Sequence, residues 1–496
     1  MPMRPWIRGQ AWLLPPSLDE LVPDSHPVRF IATFVEQLVP SELGLCLEMA
    51  PRGQVEYDPR MLLAAWIYGF MMRTRTARRL EVAARENLPL IWLLGGQCPD
   101  HSTLSRFLAA NHAVLRRLLK QTVCTAVEVG LVAFAFQAVD GTRVSAVSAD
   151  KLLDRAALEA LEQRVDEALA QMAQAADAGH DAPAAPREEL PPALHNPQAL
   201  KEQVRAALAK VAEREASRTS HHPGAADPQT GQPRGPRVHL ADPEAVVMKG
   251  RHGYVAGYNA QAAVDAQARI IVAADVLAQA SDQQALEPML GQIRENTGRL
   301  AEVTAAEGGY HAAANLEALA EAPTDLYVAD PAIKRQAARG ERAAFHKDAF
   351  AYDAATDTYR CPRDETLCFA YLQGGTPEGA PPERVYQCHA CAGCPQRALC
   401  TTDRHGRRIR VRAEDARLRA HRAKLRTPKA REQMRRRGAT VEPVFGILRE
   451  HLDLRRFLRR GLVKVRAEWH LLCAAFNLRV IWKQWWLGQR ATTAAT

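Results

Sequence analysis

The stretch that decides the fold is LVAFAFQAVDGTRVS, residues 131–145, where the apolar spacing of the chain changes from a helical to a strand-like pattern. An apolar and aromatic run leads to Asp140-Gly141, a dipeptide that favours tight turns, and residues 143–148 alternate as a returning strand. We therefore expect Asp140 to lie at the end of a buried strand. Such an acid is either a turn former or a functional group at a sheet edge.

The residues beyond this stretch continue the same sheet. We predict a hairpin over residues 253–265 and 269–277, followed by a helix over residues 283–296. A strand over residues 303–307 stops at Glu307, and a second helix (312–322) and a last strand (326–330) follow. Strands that alternate with helices in this way predict an α/β (α+β) fold, in which helices cover the faces of a mixed sheet.

Upstream, residues 27 to about 130 carry helix-spaced apolar positions. Asp100 and the residues after it supply capping groups for a helix predicted to end near Thr125. One interpretation is a helix-turn-helix DNA-binding motif, in which Arg106 and the hydroxyl side chains in the leading turns of the second helix face DNA. A well-capped structural helix is the other.

A polar segment of the chain, residues 152–237, interrupts the predicted sheet. Helical patterns over residues 151–176 and 198–217 flank a Pro/Ala-rich break, and a Gly/Pro/His-rich stretch follows. We expect an inserted antiparallel helix pair that is partly disordered, because its composition is polar and poor in aromatic residues. The pair serves either for interaction, such as oligomerisation, or as a spacer.

Positive charge is concentrated in one part of the chain. The whole chain has a net charge of +9, whereas residues 401–440 carry 13 Arg and two Lys against four acids. This window, which includes Arg435, Arg436 and Arg437, is either a solvated charged helix or a surface that neutralises nucleic-acid phosphates.

Membrane and secretory classes are disfavoured by the sequence. The longest apolar run is too short to cross a bilayer, and the N-terminal residues lack the apolar core of a secretory signal. We therefore expect a cytoplasmic protein without a membrane partner. In a reducing compartment, clustered cysteines indicate metal binding more than disulfides.

Six of the ten cysteines fall in one short segment: Cys361, Cys368, Cys388, Cys391, Cys394 and Cys400. Two overlapping C-x₂-C steps and a distant Cys fit a structural zinc site, which needs four thiolate or imidazole ligands. Cys368, Cys388 and His389 remain alternative ligands, and a reduced cluster without metal is the competing interpretation. The other cysteines are expected in apolar cores.

Three acids stand where strands end or helices begin. Asp140 and Glu307 each follow a short strand and precede Gly, and Glu442 lies in a helix predicted to begin near Thr440. Carboxylates from separate elements can hold two Mg²⁺ or Mn²⁺ ions for phosphoryl transfer. The same helix has a predicted apolar stripe made of Val441, Val444, Phe445, Leu448 and Leu452. Glu442 and Arg449 lie beside this stripe and two turns apart, so both can face one groove, unless they form a plain surface ion pair.

Several long motifs resemble a known family. QAVDGTRVSA (residues 137–146), the segment at residues 242–265, VEPVFGILR (441–449) and the helix-rich residues 455–478 are similar to bacterial insertion-sequence transposases of the DDE type. Residues 9–30 and 99–107 resemble the helical domain at the front of these enzymes. The resemblance implies a ribonuclease-H-like core that binds double-stranded DNA, both terminal inverted repeats and target, as a homodimer or higher oligomer near the nucleoid.

The resemblance also implies residue roles. Asp140, Glu307 and Glu442 match the catalytic, metal-binding triad, although the family has Asp where this chain has Glu307. The extra methylene displaces the carboxylate by roughly 1 Å, which can cost about 100-fold in rate. Arg449 stands at the usual place of a DNA-contacting lysine and Arg437 at that of an arginine. The family's cysteines correspond to Cys361, Cys391, Cys394 and Cys400, with Cys388 as an alternative zinc ligand.

The resulting layout has a helical DNA-binding domain, a core in three parts, a helical insertion, a zinc-ribbon-like insertion and a disordered tail. Its expected boundaries are 1–128 for the first domain, 129–151, 238–345 and 413–485 for the core, 152–237 and 346–412 for the insertions, and 486–496 for the tail. Two other functions remain open: a catalytically decayed DNA-binding descendant, in which Glu307 marks lost catalysis, and an unrelated zinc-containing nuclease.

Overall fold

The computed structural model describes residues 17–47, 56–147, 152–177, 196–217, 235–250, 253–338, 340–374, 382–413 and 415–489. The α-helices there are α1 (Leu18–Leu21), α2 (Pro27–Gln37), α3 (Pro40–Leu43), α4 (Pro59–Met71), α5 (Ala77–Glu86), α6 (Leu88–Leu93), α7 (His101–Ala110), α8 (His112–Glu128), α9 (Arg155–Asp177), α10 (Pro197–Ala216), α11 (Leu286–Thr297), α12 (Ala313–Ala318), α13 (Pro331–Ala337), α14 (Arg397–Cys400), α15 (Asp415–Leu425), α16 (Pro428–Glu450) and α17 (Leu462–Ile481). The strands are β1 (Phe136–Ser145), β2 (Leu152–Leu153), β3 (Val238–His239), β4 (Val246–Gly250), β5 (Gly253–Asp265), β6 (Ile271–Leu277), β7 (Val303–Ala306), β8 (Asp325–Val328), β9 (Ala351–Asp353), β10 (Thr358–Arg360), β11 (Thr366–Gln373), β12 (Glu383–Gln387) and β13 (Arg408–Val411).

The main sheet is mixed, and β1 lies at its centre. The order β6-β5-β1-β7-β8 has antiparallel pairing from β6 to β1 and parallel pairing from β1 to β8, and β4 also pairs with β5. The parallel β7 and β8 are reached through connections that contain helices, as parallel pairing requires. The predicted α/β architecture is thereby confirmed.

Two long helices hold this sheet. In α16, the predicted apolar stripe is buried against β1 and β7, as Val441, Val444 and Leu448 show. Helix α17 packs against β6 and α8, and the Trp469 indole N–H donates to the Gln261 carbonyl in β5 at 2.9 Å. Since α8 and α4 also contact α17, the N-terminal helices and the sheet share one hydrophobic core.

A second sheet lies outside this core. Its order is β13-β12-β11-β10-β9 with antiparallel pairing, and its own small core contains Phe350, Tyr359, Leu367 and Tyr386. Helices α9 and α10 pack together as the predicted helix pair and have separate small apolar clusters. Both units interrupt the chain between strands or helices of the main sheet and core.

Three expected local features were wrong. Asp140-Gly141 is no turn, because β1 continues through it to Ser145 and pairs with β5 along its length. The helix expected to end near Thr125 is two helices, broken at Asn111. The helix expected from Thr440 begins at Pro428, where the Thr427 side chain caps it by accepting from the Ala430 N–H at 3.2 Å.

The C-terminal region is helical up to residue 489, so residues 486–489 of the expected disordered tail continue the last helix. Residues 490–496 lie outside the described residues, as do residues 178–195 and 218–234 of the helical insertion. Among the described ranges, no helix combines the length and the apolar character needed to cross a membrane.

Candidate active site

The pairing of β1 with β7 places two acids side by side. The last residues in register are Val139 and Ala306, so Asp140 and Glu307 are the next residues on two adjacent parallel strands. Glu307 is close enough for its charge to raise the pKa of Asp140. Asp140 lies within β1, and Glu307 follows the last residue of β7. The two acids are therefore brought together by the register of β1 with β7, and not by a turn at Asp140-Gly141.

Asp140 is the more deeply placed of the two acids, with 7% of its surface exposed. Burial raises its pKa to about 7; the Arg437 guanidinium opposes this shift and Glu307 adds to it. Arg437 donates to the Asp140 carboxylate at 2.7 Å. The site therefore contains a carboxyl pair with a cation on one side of it, in surroundings that penalise negative charge.

A polar network lies beside the pair on β5. Asn259 and Gln261 project from an otherwise apolar strand, and both donate to the Asp282 carboxylate, at 2.5 and 2.8 Å. The Tyr310 hydroxyl donates to the Gln261 side-chain carbonyl. Sequence reasoning missed this network, although two amides at alternate positions of a buried strand were a readable signal.

Glu442 does not join the other two acids in this conformation. Its side chain is exposed and lies against Gly438, one turn earlier in α16. Among the residues that the structure describes, no group of three or more His, Cys, Asp or Glu side chains is arranged to hold a metal ion. The structure therefore brings together Asp140, Glu307 and Arg437.

The other predicted DNA-contacting arginines lie on two surfaces. Arg449 reaches across to the Thr142 hydroxyl in β1, two residues after Asp140, and Arg436 stacks over the ring of Phe136 at the start of the same strand, at 4.5 Å. Arg435 is an exposed neighbour in α16. Arg106 lies apart in α7, where it contacts the Ser102 carbonyl and Thr103 hydroxyl of its own helix.

The cysteines gather at one end of the second sheet. Cys388 is buried and packs with Cys361, Cys391 and Cys400. Burial raises the pKa of Cys388 to about 12, and its neighbour Cys391 adds to the shift. Burial also raises the pKa of Cys400, and Cys394 is among the neighbours that contribute. Cys368 lies instead on β11, opposite Gln387.

Two thiols in this group accept backbone hydrogen bonds. The N–H groups of Arg363 and Glu365 each donate to the Cys361 sulfur at 3.3 Å, and the Arg407 N–H donates to the Cys391 sulfur at 3.3 Å. Backbone N–H groups therefore point at the sulfur atoms of Cys361 and Cys391.

Known families match both ends of the chain. Residues 16–110 match the family described as Transposase domain (DUF772), and residues 360–482 match the family described as Transposase DDE domain. These two matches indicate an insertion-sequence transposase. The resemblance that its motifs carry is thereby confirmed. The second match includes the cysteines, Glu442 and Arg449, whereas Asp140 and Glu307 lie outside it. Neither a curated protein nor a solved structure matches the chain.

The transposase families indicate an enzyme of DNA transposition that acts on DNA. DDE transposase domains generally use divalent metals such as Mg²⁺, so the acid pair is the part of this transposase to test against a metal.

Proposed function

We propose that this transposase cleaves phosphodiester bonds at the ends of its element in a metal-dependent reaction and joins the freed 3′-hydroxyls to target DNA. The observation that carries the proposal is the register of Val139 with Ala306, which sets Asp140 beside Glu307. Hydrolysis converts one phosphodiester into a 3′-hydroxyl and a 5′-phosphate. In the joining step, that hydroxyl replaces another sugar oxygen at phosphorus, so the number of phosphodiester bonds is conserved.

The strand order supports a ribonuclease-H-like core. Three antiparallel strands, β6, β5 and β1, are followed by two parallel ones, β7 and β8, and α16 packs across β1. In this arrangement the acids come from the central strand, the neighbouring parallel strand and the covering helix. We assign residues 129–151, 238–345 and 413–485 to this core.

The residues present fit a divalent metal. Asp140 and Glu307 supply carboxylate oxygens from neighbouring strand positions, the hard ligands that Mg²⁺ and Mn²⁺ prefer, and Glu442 lies in α16, which packs on β1. Two such ions, when bound, activate the attacking oxygen and stabilise the leaving oxygen. Arg437 pairs with the Asp140 carboxylate, so a metal bound to Asp140 would share this carboxylate with the arginine or replace it.

Double-stranded DNA is the proposed partner, in the form of the terminal inverted repeats and the target. Arg435, Arg436, Arg437 and Arg449 all lie in α16, which packs on β1, and we assign them to contacts with DNA phosphates. Arg106 on α7 belongs to the N-terminal domain, residues 1–128, to which we assign recognition of the repeats. Action at two ends calls for a homodimer or higher oligomer, in a cytoplasmic, nucleoid-associated protein.

A structural Zn²⁺ is proposed for residues 346–412. The bonds from backbone N–H groups to the Cys361 and Cys391 sulfurs fit two thiolate ligands, and Cys394 and Cys400 complete the proposed set. Cys388 belongs to the small core against which Cys361, Cys391 and Cys400 pack, and it remains the alternative ligand. Four thiolates satisfy the tetrahedral preference of zinc, and the ion would stabilise the small second sheet without taking part in the chemistry.

A second candidate function is a DNA-binding descendant that no longer cuts. Glu307 in place of the family's Asp favours it, and so does the exposed position of Glu442. One experiment distinguishes the two candidate functions. Purified chain is incubated with Mg²⁺ or Mn²⁺ and a duplex that carries the inverted repeats flanking its coding sequence.

The proposal predicts cutting by the native chain and none by Asp140→Ala. Cutting only by Glu307→Asp would favour the decayed descendant, because restoring the family residue would then restore the reaction. Cutting that ignores the repeat sequence would indicate a nuclease unrelated to transposition. Arg106→Ala serves as a matched control, since it removes a cation outside the acid pair and should weaken binding without abolishing the chemistry.

A further inference from the structure

A third carboxylate lies between the two backbones that carry the acid pair. Asp282, in the loop between β6 and α11, is half-buried. Its Oδ1 lies 3.1 Å from the position that a Cβ on Gly141 would occupy, and its Oδ2 lies where a Cβ on Gly309 would be. Gly141 directly follows Asp140, and Gly309 lies two residues after Glu307. One side chain therefore packs against both acid-bearing segments.

Hydrogen bonds hold this carboxylate from the sheet side. Asn259 and Gln261, which are 2% and 0% exposed, donate to Asp282 Oδ1 at 2.5 and 2.8 Å. Gln261 is paired with Gly141 in the register of β5 and β1, and it also accepts from the Tyr310 hydroxyl. The network thus connects β1, β5 and the 3₁₀ turn Gly308–Tyr310 that follows Glu307.

A separate contact fixes the same loop from the other side. Asn315, in α12, donates to the Gln283 carbonyl at 2.6 Å and to the Tyr310 carbonyl at 2.8 Å. The residue after Asp282 is therefore tied to the turn that Asp282 itself touches. A negative charge beside two acids is unfavourable unless it is well solvated by donors, and here the two buried amides supply them.

We propose that Asp282 is a positioning residue, which holds the Glu307 turn against β1 and thereby sets the separation of the Asp140 and Glu307 carboxylates. The inference rests on the proposed function in taking these two acids as metal ligands. Residues that orient metal ligands from outside typically change metal affinity by about 10- to 100-fold when they are lost. The reaction is similarly sensitive, because a displacement of about 1 Å can cost about 100-fold in rate.

The first test measures Mn²⁺ alone, by electron paramagnetic resonance, on the full chain. Asp282→Ala is expected to weaken Mn²⁺ binding about 10- to 100-fold and to lower cleavage of repeat-end DNA at fixed Mn²⁺. Asp282→Asn keeps the shape and one acceptor oxygen, so it should fall between Ala and the native chain. Binding of the repeat duplex should stay unchanged in both variants.

The second test is a double-mutant cycle that depends on the packing itself. Gly309→Ala puts a methyl group where the Asp282 carboxylate lies, so it should weaken Mn²⁺ binding in the native background and be tolerated beside Asp282→Ala. Gly308→Ala is the matched control. Its Cβ would meet Pro331 Cγ at 3.0 Å instead, so its effect should be the same in both backgrounds.

Native Mn²⁺ affinity in Asp282→Ala would overturn the inference, as would a Gly309→Ala effect that does not depend on residue 282. Failure of the proposed function has a different signature. If the native chain binds Mn²⁺ and the cycle behaves as expected, but no repeat-end DNA is cut, the transposition chemistry is refuted and the positioning role of Asp282 is supported.

Discussion

Replacing Arg75 with Met should destabilise the protein by about 3–5 kcal/mol, which is the usual cost of removing one partner of a buried ion pair. The Arg75 and Glu468 side chains are each 3% exposed, and their charged atoms lie 2.5 Å apart. Arg75 follows α4, and Glu468 lies in α17, so the pair joins the N-terminal helices to the helix that covers the main sheet. A loss of this size is a large share of typical domain stability.

The magnitude follows from what the guanidinium leaves behind. Arg75 also donates to the carbonyls of Asp453 and Arg456, and these acceptors would lose their donor. Glu468 keeps the N–H groups of Leu458 and Arg459, at 2.9 and 3.0 Å, which is why we do not expect complete unfolding. The remaining cost is a buried carboxylate without its cation.

Urea unfolding followed by tryptophan fluorescence measures the effect, because Trp66 and Trp469 are fully buried in the two parts that the pair joins. Arg60→Met is the matched control. It breaks the ion pair between Arg60 and Asp58, whose side chains are 47% and 44% exposed respectively. This change should cost less than about 1 kcal/mol of stability. Equal shifts in the urea midpoint for the two variants would refute the argument from burial.

The remaining predictions concern pH, zinc and DNA. Since burial raises the pKa of Asp140 to about 7, the stability that its protonated form contributes in chelator is fully present below pH 3.8 and is lost as pH rises through 7. From pH 5 to 8, which covers about two pH units below that pKa, Asp140→Asn should gain about 3 kcal/mol of stability over the native chain in thermal unfolding. Asp325→Asn should differ in stability from the native chain by a constant amount over that range. Burial of Asp325 is outweighed by its hydrogen bonds, first that from Lys424, which lower its pKa to about 2, so this carboxyl group does not titrate between pH 5 and 8. Cys391→Ser should lose one equivalent of zinc by elemental analysis and unfold the second sheet, and full retention of zinc would contradict the assignment. Arg435→Ala should reduce the salt dependence of DNA binding by about one phosphate contact, and an unchanged slope would remove Arg435 from the interface.

Much of the architecture was readable because it depends on local pattern. The hairpin at β5 and β6, the strand that stops before Glu307 and the apolar stripe of α16 follow from residue spacing, and each was found where it was expected. Even the error at α16 had a sequence signal, since Thr427-Pro428 is a good helix start. Long periodic segments identify themselves because each local choice agrees with the fold.

The misreading of Asp140-Gly141 has a different cause. The dipeptide favours a turn locally, but β5 pairs across it, and Gln261 packs where a Cβ at residue 141 would lie. Glycine is needed at this position for space and not for a turn. Nothing in the local sequence distinguishes the two uses, because the crowding comes from a strand more than a hundred residues away.

The sequence by itself determined the candidate site residues: the acids before glycine, the arginine run and the cysteine spacing are all visible in the printed chain. Only the tertiary structure decided which of these residues lie close together. Strand register set Asp140 beside Glu307, helix packing brought Arg437 to Asp140, and a loop after β6 placed Asp282 against Gly141 and Gly309 in the two segments that carry these acids. These meetings depend on contacts between distant segments, whose geometry is fixed only when the whole core packs.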